Sequence, residues 1–523
     1  MKQQLQDFFK KEYPDVGFDV SYPPEGLGDY STNLAFLLAK EKKENPQKVA
    51  EEIIEKLKKE FKDEFEKIEV AGNGFLNFYL SHGYLLEKLD DFLKDKIKFP
   101  KIENKKINIE FVSANPTGPL TLGNARSAVY GDVLSNILEK VGHKVTREYY
   151  INDLGKQIDL LVESVGRRLK ELEGEKVDFS EELYQGDYIK DLAKKAKEEK
   201  VSSEDLNKFS TGENLNQIKK ALENFGVKFN VWFKESSLKE SKEIQEVLDF
   251  LKSRDLTYEK DGALWFRGIN FGLEKDVVLI KSNGQGTYLL SDFAYAKNKL
   301  SRDFELLVYL WGADHHGDVG RIKAAIKALG LPQDKFIILI HQMVALKKGD
   351  EILRMAKRKG IYVTLDDLLN QIPKDVVRYF FLEKSLDTHL DFDLELAKEE
   401  SSKNPAYYIQ YAFARINSVF DKAGNIKTSN DLELIKEKEE LDLVKHLIRF
   451  PEVIFEISQN YQVHHLARYA FELANKFHKF YEKYRIISED QKITEARLSL
   501  VKTVHNVLRE SLNLMGLQAP QKM

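Results

Sequence analysis

One stretch constrains the fold more than any other, because its pattern changes from strand to loop to helix to strand within residues 107–151. A β-rich run at 107–112 leads into a loop rich in proline and glycine. Apolar residues then recur at helical spacing over 129–138, and a second β-rich run covers 144–151. A unit of this kind predicts two parallel strands joined by a helix.

The loop and the first helical turn of this unit predict a binding site for an anion. Free N–H groups and the positive end of the helix dipole meet at that point, where a triphosphate can bind. Gly123, within Thr121-Leu122-Gly123-Asn124, lets such a ligand come close to the backbone. An ordinary loop that happens to contain a glycine is the alternative.

Length and composition predict a multidomain, soluble protein. A chain of 523 residues is too long for one core. With 42% hydrophobic and 32% charged residues, it can bury cores and is not expected to be disordered. The net charge of -4 argues against indiscriminate coating of nucleic acid, although local basic faces could still bind RNA.

Several classes of site and location are excluded or disfavoured by what the sequence lacks. The absence of cysteine excludes disulfides, thiolate zinc sites and cysteine nucleophiles. No apolar signal core and no run approaching ~20 apolar residues is present. We therefore expect a cytoplasmic protein that does not contact membranes.

Three domains are expected. Residues 1–100 combine helices with a Pro/Gly turn and a strand pair around 70–79, which predicts a small α+β domain. Residues 101–400 predict an α/β domain with a buried parallel sheet, because apolar strands at 306–311 and 336–340 flank a helix. Residues 401–523 show only helical periodicity, which predicts an all-α domain.

An insertion is predicted inside the α/β domain, at about residues 156–275. Its pattern is helical and heavily charged over 156–254, and short strands are expected at 262–266 and 276–280.

A basic run, Arg354-Met355-Ala356-Lys357-Arg358-Lys359-Gly360, follows a predicted strand of the α/β domain. Flexible cationic side chains can close over phosphates and stabilise a leaving pyrophosphate. A solvated basic turn is the alternative.

The segment 311–318 lies at the carboxyl end of a predicted buried strand, where doubly wound sheets collect their ligands. Asp314 could accept hydrogen bonds from ribose, His315 could contact a base, and Gly312 permits close approach. A metal site formed by Asp314, His315, His316 and Asp318 is a weaker alternative, because adjacent side chains on a strand point to opposite sides.

Tyr288, Asp292 and Glu235 suit a cationic ligand. Carboxylates beside an aromatic ring can pair with and stack on a planar guanidinium. These residue types are common, so their functional role depends on whether the fold brings them together.

Seven ordered blocks resemble the class I arginyl-tRNA synthetases of the bacterial type, from the first domain to the last residues. They are residues 28–35, 74–78, 113–120, 149–153, 311–317, 407–412 and 516–523. The resemblance implies a Rossmann-type catalytic domain, a small α+β N-terminal domain for the tRNA elbow and a helical anticodon-binding bundle. It also implies ATP-dependent formation of arginyl-adenylate, transfer to the 3′ end of tRNA(Arg) in translation, Mg2+ and a monomer.

By position, the resemblance also implies site residues. The contacts expected for ATP are Asn115, Pro116, Gly118, Leu122, Gly123, Asn124, Gly312, Asp314, His315, Met355 and Lys357. Those expected for arginine are Ser113, Asn115, Glu235, Tyr288 and Asp292. Those expected for tRNA are Tyr407, Tyr408, Gln410 and Arg415, since stacking on tyrosine holds unstacked bases. No protein metal ligands are expected.

Both catalytic signatures of the family are altered. His-x-Gly-His is replaced by Thr121-Leu122-Gly123-Asn124, and Lys-Met-Ser-Lys by Arg354-Met355-Ala356-Lys357. We expect Thr121, Asn124, Arg354 and Lys357 to supply the donors and charges that catalysis needs. A catalytically weakened tRNA-binding or regulatory protein is the main alternative, and a small-molecule nucleotidyltransferase is a third.

Overall fold

The computed structural model describes residues 1–97, 99–100, 102–349, 351–353, 363–429 and 431–523. The helices are α1 (Lys2–Glu12), α2 (Leu34–Lys42), α3 (Pro46–Glu60), α4 (His82–Leu93), α5 (Leu122–Lys140), α6 (Lys156–Leu172), α7 (Asp187–Glu198), α8 (Leu206–Asn224), α9 (Glu235–Glu240), α10 (Glu243–Ser253), α11 (Tyr288–Ser301), α12 (His316–Ala328), α13 (Leu365–Leu369), α14 (Lys374–Leu382), α15 (Leu394–Lys398), α16 (Pro405–Ala423), α17 (Lys438–Asn460), α18 (His464–Lys483) and α19 (Gln491–Met515). The strands are β1 (Val20–Ser21), β2 (Tyr30–Thr32), β3 (Phe65–Ala71), β4 (Phe75–Leu80), β5 (Lys106–Glu110), β6 (Lys144–Ile151), β7 (Val231–Lys234), β8 (Thr257–Lys260), β9 (Ala263–Phe266), β10 (Val277–Ile280), β11 (Leu306–Gly312), β12 (Phe336–His341), β13 (Val344–Lys348), β14 (Glu351–Leu353) and β15 (Leu390–Asp393).

A five-stranded parallel sheet forms the centre of the α/β domain, in the order β12-β11-β5-β6-β7. It confirms both the β5-α5-β6 unit and the parallel pairing of β11 and β12. The chain extends the sheet from β5 towards β7 and later returns to the other side of β5 with β11. This reversal creates a switch point between β5 and β11, where ligands of such sheets bind.

Helix α5 packs directly on the sheet. Its predicted apolar stripe, Val129, Val133, Leu134, Ile137 and Leu138, is buried. Gly131 faces the ring of Phe111, and a Cβ atom at this position would overlap that ring. The absence of a side chain therefore lets α5 approach the sheet closely, which fixes the start of the helix relative to the strand ends.

The sequence interpretation of residues 156–254 as wholly helical was wrong at one place. Val231–Lys234 forms β7 and pairs with β6 through Tyr150↔Phe233 and Ile151↔Lys234. The predicted insertion therefore contributes an edge strand to the central sheet. Further along the chain, β8, β9 and β10 form a separate antiparallel sheet, which includes both predicted short strands.

The N-terminal domain is α+β, as predicted. Its antiparallel sheet has the order β1-β2-β4-β3. It is held to α17 by the buried Glu452, which accepts hydrogen bonds from the backbone N–H of Lys2 at 2.8 Å and from the hydroxyls of Tyr22 at 2.8 Å and Tyr30 at 3.0 Å. Burial alone would raise the pKa of Glu452, but these donors and a neighbouring amino group lower it.

The C-terminal domain is all-α, as predicted, and consists of α16–α19. The last helix buries the apolar face that its helical periodicity predicts. It ends at Gly516, whose φ of 68° is the left-handed conformation that glycine adopts readily at a helix end. No helix among the described residues is long and apolar enough to cross a membrane.

Arg378 on α14 connects three parts of the molecule and is fully buried. Its guanidinium donates to Asp132 Oδ2 at 2.6 Å, to Phe225 O at 3.1 Å and to Met515 O at 3.0 Å. The acceptors come from α5, from the residue after α8, and from the end of α19. One side chain therefore joins the sheet-packed helix, the inserted helices and the C-terminal bundle.

Candidate active site

Most of the expected site residues follow the carboxyl ends of the central strands. Ser113 and Asn115 follow β5, Glu235 follows β7, and Gly312 ends β11. The carboxyl ends of parallel strands lie at one edge of a sheet, so the fold brings these residues to the same side of the domain. The site is built at the switch point that the sheet order creates.

The loop after β5 has an unusual backbone. Val112 and Ser113 have φ values of 67° and 40°, a conformation that is costly for a β-branched residue such as valine. It is stabilised by hydrogen bonds from Val112 N–H to Ser127 Oγ at 3.0 Å and from Tyr150 N–H to Ser113 Oγ at 3.1 Å. Residues kept in such conformations cluster at functional sites.

The predicted anion site at the start of α5 carries a reciprocal capping box. Thr121 N–H donates to Asn124 Oδ1 at 3.0 Å, and Asn124 N–H contacts Thr121 Oγ1 at 3.5 Å. The Thr121 hydroxyl also donates to Asn124 Oδ1, at 2.9 Å. Within the described part of the chain, Asn124 Nδ2 is the side-chain donor of this pair that is not already engaged.

Space for a ligand lies beside this helix terminus. Among the described residues, a Cβ atom at Gly123 would meet only Thr121 Oγ1, at 3.8 Å. Leu122 is fully buried, so it reaches the site with its backbone and not with its side chain. Pro116 and Gly118 are also buried.

Glu235 lies directly after β7 and is buried. The side-chain amide of Asn152 matches its neighbouring donors and acceptors in one of its two orientations. In that orientation its nitrogen donates to Glu235 Oε2 at 3.0 Å. Burial and the charge of Asp153 raise the pKa of Glu235, and hydrogen bonds from Ser291 and Tyr150 oppose this shift. Its described partners thus include neutral donors and a further carboxylate.

Asp292 and Tyr288 lie one turn apart at the start of α11. Burial, followed by the charge of Glu235, raises the pKa of Asp292 to about 8. Tyr288 is 52% exposed, and its hydroxyl lies against Gly155 and Asn152. The structure therefore brings two carboxylates and a tyrosine together, and the charges of Lys239 and Arg321 only partly offset the rise in the pKa values of the two acids.

On the other side of the switch point, strand β11 ends at Gly312 and is followed by Asp314 and His315. Asp314 and His315 project into solvent, with side chains 74% and 57% exposed. His315 Nδ1 lies 3.2 Å from Asp318 Oδ2, and Asp318 also pairs with Arg321 at 2.9 Å. The alternative of a metal centre is not supported, since no group of three potential ligands is found among the described residues.

Sequence reasoning missed two residues at this edge. His341 ends β12 beside Gly312, and burial lowers its pKa to about 4, so its imidazole is neutral at pH 7. Met343 follows and is 61% exposed, which is high for a large apolar side chain. Their position directly after a predicted apolar strand was the available signal.

The basic run falls on residues 354–362, so Arg354, Met355 and Lys357 lie outside the described residues. The chain is described again from Val363. Thr364 forms a bridge with Thr121, and Leu365 N–H donates to Leu120 O at 2.9 Å. Thr364, four residues after Gly360 at the end of the basic run, therefore contacts the α5 capping box.

Below the site, α11 is fixed to the sheet by buried ion pairs that the sequence did not reveal. Lys299 Nζ lies 2.6 Å from Glu110 Oε2, and both side chains are almost fully buried. Arg302 donates to both oxygens of Glu148, at 2.7 and 2.9 Å. Burial would raise the pKa of Glu148, but the hydrogen bonds of Arg302 and the charge of Lys299 lower it.

The expected tRNA contacts lie on α16. The rings of Tyr407 and Tyr411 stack at 6.4 Å, and the guanidinium of Arg415 lies 4.6 Å from the Tyr411 ring and 4.8 Å from the Tyr481 ring. Tyr408 packs against neighbouring rings on α18 at 4.6 and 5.4 Å.

Gln410 differs from these neighbours on α16. Its amide donates to Asp375 Oδ2 at 2.8 Å and to Gln518 O at 3.0 Å. Its donor group is therefore engaged within the protein.

Three family models together match most of the chain. A model of the class I tRNA synthetase (R) catalytic domain matches residues 88–387, a model of the arginyl-tRNA synthetase N-terminal domain matches 1–80, and a model of the DALR anticodon-binding domain matches 409–523.

The chain is similar over nearly its full length to curated bacterial enzymes. It is 44% identical to the arginine–tRNA ligase of Carboxydothermus hydrogenoformans, over 97% of this chain and 95% of that protein. It is 40% identical to the arginine–tRNA ligase of Thermotoga maritima, over 100% and 99%. The solved arginyl-tRNA synthetase of Thermus thermophilus shares the fold, with a TM-score of 0.81 at 22% identity, over 100% of this chain and 99% of that one.

Proposed function

The chain belongs to the class I arginyl-tRNA synthetases, and from this premise we propose how its site carries out ATP-dependent ligation of arginine to tRNA(Arg). The observation that carries the proposal is the pair of carboxylates, Glu235 and Asp292, at the strand edge beside the capped start of α5. Glu235 is buried and Asp292 is half-buried, so the pair is stabilised by a cation, and arginine brings one.

In the arginine half, Glu235 and Asp292 hold the guanidinium and Tyr288 covers it. A planar guanidinium can pair with carboxylates through several N–H groups while it stacks on an aromatic ring. Ser113 and Asn115, on the loop after β5, face the other end of the amino acid, where its carboxylate meets ATP.

In the ATP half, the backbone of residues 115–118 and of Leu122 and Gly123 receives the phosphates and the arginyl-adenylate. Asn124 Nδ2 supplies a neutral donor, and Thr121 acts by fixing the orientation of Asn124. Gly312, Asp314 and His315 hold the adenosine, and the exposed Met343 offers its apolar side chain to the base.

For the basic run, we propose that Arg354 and Lys357 stabilise the leaving pyrophosphate and that Met355 contacts the nucleotide. The contact of Thr364 with Thr121 supports this proposal, because Thr364 follows the run by four residues and lies beside the start of α5. Positioned positive charge is what adenylate formation needs, and it needs no histidine as a proton-transfer base.

Mg2+ is proposed to enter with ATP. The described residues contain no cluster of three potential metal ligands, which fits an ion bound mainly by substrate phosphates and water. When bound, Mg2+ would add positive charge at the phosphates.

For tRNA, Tyr407, Tyr408 and Arg415 are proposed to stack on anticodon bases, since a partly exposed set of rings with a guanidinium suits unstacked nucleotides. Gln410 was expected to share this role. Because its amide is engaged with Asp375 and Gln518, it can contribute to RNA binding only through its acceptor oxygen.

We further propose domain limits of 1–100, 101–400 and 401–523, a monomeric state and a cytoplasmic location. Light scattering of the purified protein tests the monomer, and fractionation of cells tests the location.

The direct test is arginine-dependent charging of tRNA(Arg), together with ATP–pyrophosphate exchange measured with and without tRNA. Charging should require arginine and ATP, and lysine should not replace arginine. Lys357→Ala should lower the turnover of activation much more than it changes arginine affinity. Binding of tRNA without any charging would favour a weakened, regulatory protein, an alternative that the comparisons do not support.

A further inference from the structure

Two inserted helices hold the loop that faces the proposed ATP and arginine sites. Three carbonyl groups of this loop each accept a hydrogen bond from a side chain outside the loop. Tyr149 Oη donates to Ala114 O at 2.7 Å, Asn214 Nδ2 donates to Pro116 O at 3.0 Å, and Tyr188 Oη donates to Thr117 O at 2.8 Å. Tyr149 belongs to the central sheet, whereas Asn214 lies on α8 and Tyr188 on α7.

Asn214 is 1% exposed, which is rare for asparagine unless its amide is hydrogen-bonded. Its Nδ2 donates to Pro116 O, while its Oδ1 is buried without a partner among the described residues. A half-satisfied buried amide is costly, so packing alone does not account for this residue. The hydrogen bond to the loop is what the amide contributes.

Tyr188 fixes the next peptide group by hydrogen bond and by contact. Its hydroxyl donates to Thr117 O, and its ring lies directly on Gly118. A Cβ atom at Gly118 would come within 2.9 Å of the Tyr188 ring. The side chain therefore restricts both the orientation and the position of the loop backbone.

The loop has little means of fixing itself. Pro116 and Pro119 have no N–H group, and Thr117 N–H is used in a turn to Asn115 O at 2.7 Å. Helices α6 and α7 and the start of α8 form a small core that includes Leu161, Val165 and Ile189, whereas Ile218 and Leu222 of α8 belong to the core of the sheet. The position of the inserted helices is thus transmitted to the loop through Asn214 and Tyr188.

We propose that Asn214 and Tyr188 are positioning residues for the activation step. By holding the carbonyls of Pro116 and Thr117, they orient Asn115 and Gly118 towards the arginyl-adenylate. Neither side chain needs to touch a substrate. The proposal deepens the proposed function, on which it rests, and gives the inserted helices a role in the first chemical step.

The test compares Tyr188→Phe and Asn214→Ala with the control Ser210→Ala. Ser210 lies one turn before Asn214 on α8, is fully buried, and has a hydroxyl with no partner among the described residues. We expect kcat for arginine-dependent ATP–pyrophosphate exchange to fall about tenfold in each test variant, because a misplaced loop misaligns the reacting groups. KM for arginine should change less than kcat does, because the guanidinium partners Glu235 and Asp292 lie on other elements and only the contact of Asn115 with the other end of arginine is displaced.

Thermal unfolding of the same samples separates positioning from folding. Tyr188→Phe keeps the ring and should unfold within about 2 °C of Ser210→Ala. If Tyr188→Phe is folded and keeps the wild-type kcat, the positioning role is refuted, whether or not Asn214→Ala folds. If kcat falls only in proportion to the folded fraction, it is equally refuted. Wild-type protein without any arginine-dependent exchange or charging would instead refute the proposed function.

Discussion

The two ends of helix α11 place carboxylates in opposite electrostatic surroundings. At its C-terminal end, Glu110 is paired with Lys299 at 2.6 Å and Glu148 with Arg302 at 2.7 Å. At its N-terminal end, Asp292 lies near Glu235, and the charge of Glu235 adds to burial in raising the pKa of Asp292. One helix therefore carries cations to neutralise acids at one end and lacks them at the other.

The difference separates charges that serve the fold from charges reserved for a ligand. Where the chain supplies its own cation, the pKa of Glu148 is lowered and the acid stays ionised. At the other end, Lys239 and Arg321 only partly offset burial and the neighbouring carboxylates, so the pKa values of Glu235 and Asp292 rise. The substrate guanidinium is expected to complete the second set.

The largest effect is expected at the paired end. Lys299→Met leaves Glu110 buried without its cation and should lower the free energy of unfolding by about 3–5 kcal/mol. Lys297→Met is the matched control, because Lys297 pairs with Glu246 at 2.8 Å on the exposed face of the same helix. That pair should be worth less than about 1 kcal/mol. Denaturant unfolding followed by circular dichroism measures both, and equal losses would contradict the distinction.

The next effect is expected at the unpaired end. Asp292→Asn removes a charged partner of the guanidinium, worth about 1.5–3 kcal/mol, so KM for arginine in charging should rise roughly 10- to 150-fold. Stability at pH 8 should be unchanged or higher, because an ionised carboxylate is no longer buried. Asp303→Asn, at an exposed position two residues after the end of α11, is the control and should leave KM unchanged. A variant that loses stability without a change in KM would make Asp292 structural.

Arginine affinity should increase with pH up to about 8. The free site holds a proton below the raised pKa of Asp292, and a guanidinium must displace it. Each pH unit below 8 should weaken binding by up to about tenfold, or ~1.4 kcal/mol. The same raised pKa values mean that the folded protein binds more protons than the unfolded chain, so these two acids reduce stability as pH rises towards 8.

Calorimetric titration of arginine in buffers of different ionisation enthalpy measures this linkage directly. Proton release should be detected at pH 7 and should be absent in Asp292→Asn. Affinity that stays constant between pH 6 and 8 would show that the pair is already ionised in the free protein.

The smallest effect concerns the coupling between the two acids. Glu235→Gln removes the negative charge that, after burial, contributes most to the raised pKa of Asp292. The midpoint of the pH dependence of arginine binding should therefore move to lower pH, in addition to any loss of affinity. The same titrations measure the midpoint, and an unchanged value would mean that burial alone sets the pKa.

Sequence periodicity was enough to predict the elements that form long, regular patterns. The β5-α5-β6 unit and the stripe of α19 were found because apolar residues recur over many turns. Strand β7 was missed, since Val231–Lys234 is too short to show a period and lies between charged helical stretches. Its valine and two aromatic residues were the available signal.

For the site, residue chemistry predicted the acids but not their partners. Glu235 and Asp292 were selected because carboxylates suit a guanidinium. Lys299 could not be assigned to Glu110, because it resembles any solvated lysine on a charged helix until the sheet is in place. Asn214 acts on Pro116 from about a hundred residues away in the chain, and no local pattern reports a contact of that kind.

Arg378 also bears on how the molecule is made. Its acceptors are distributed in the order of synthesis: Asp132 and Phe225 precede it, and Met515 follows more than a hundred residues later. A nascent chain therefore contains the arginine and its carboxylate well before the last carbonyl exists. The hydrogen bonds of Arg378 are complete only after α19 has been synthesised. Until then the polar groups at this junction lack a partner, and a chaperone can recognise the surface that they leave exposed.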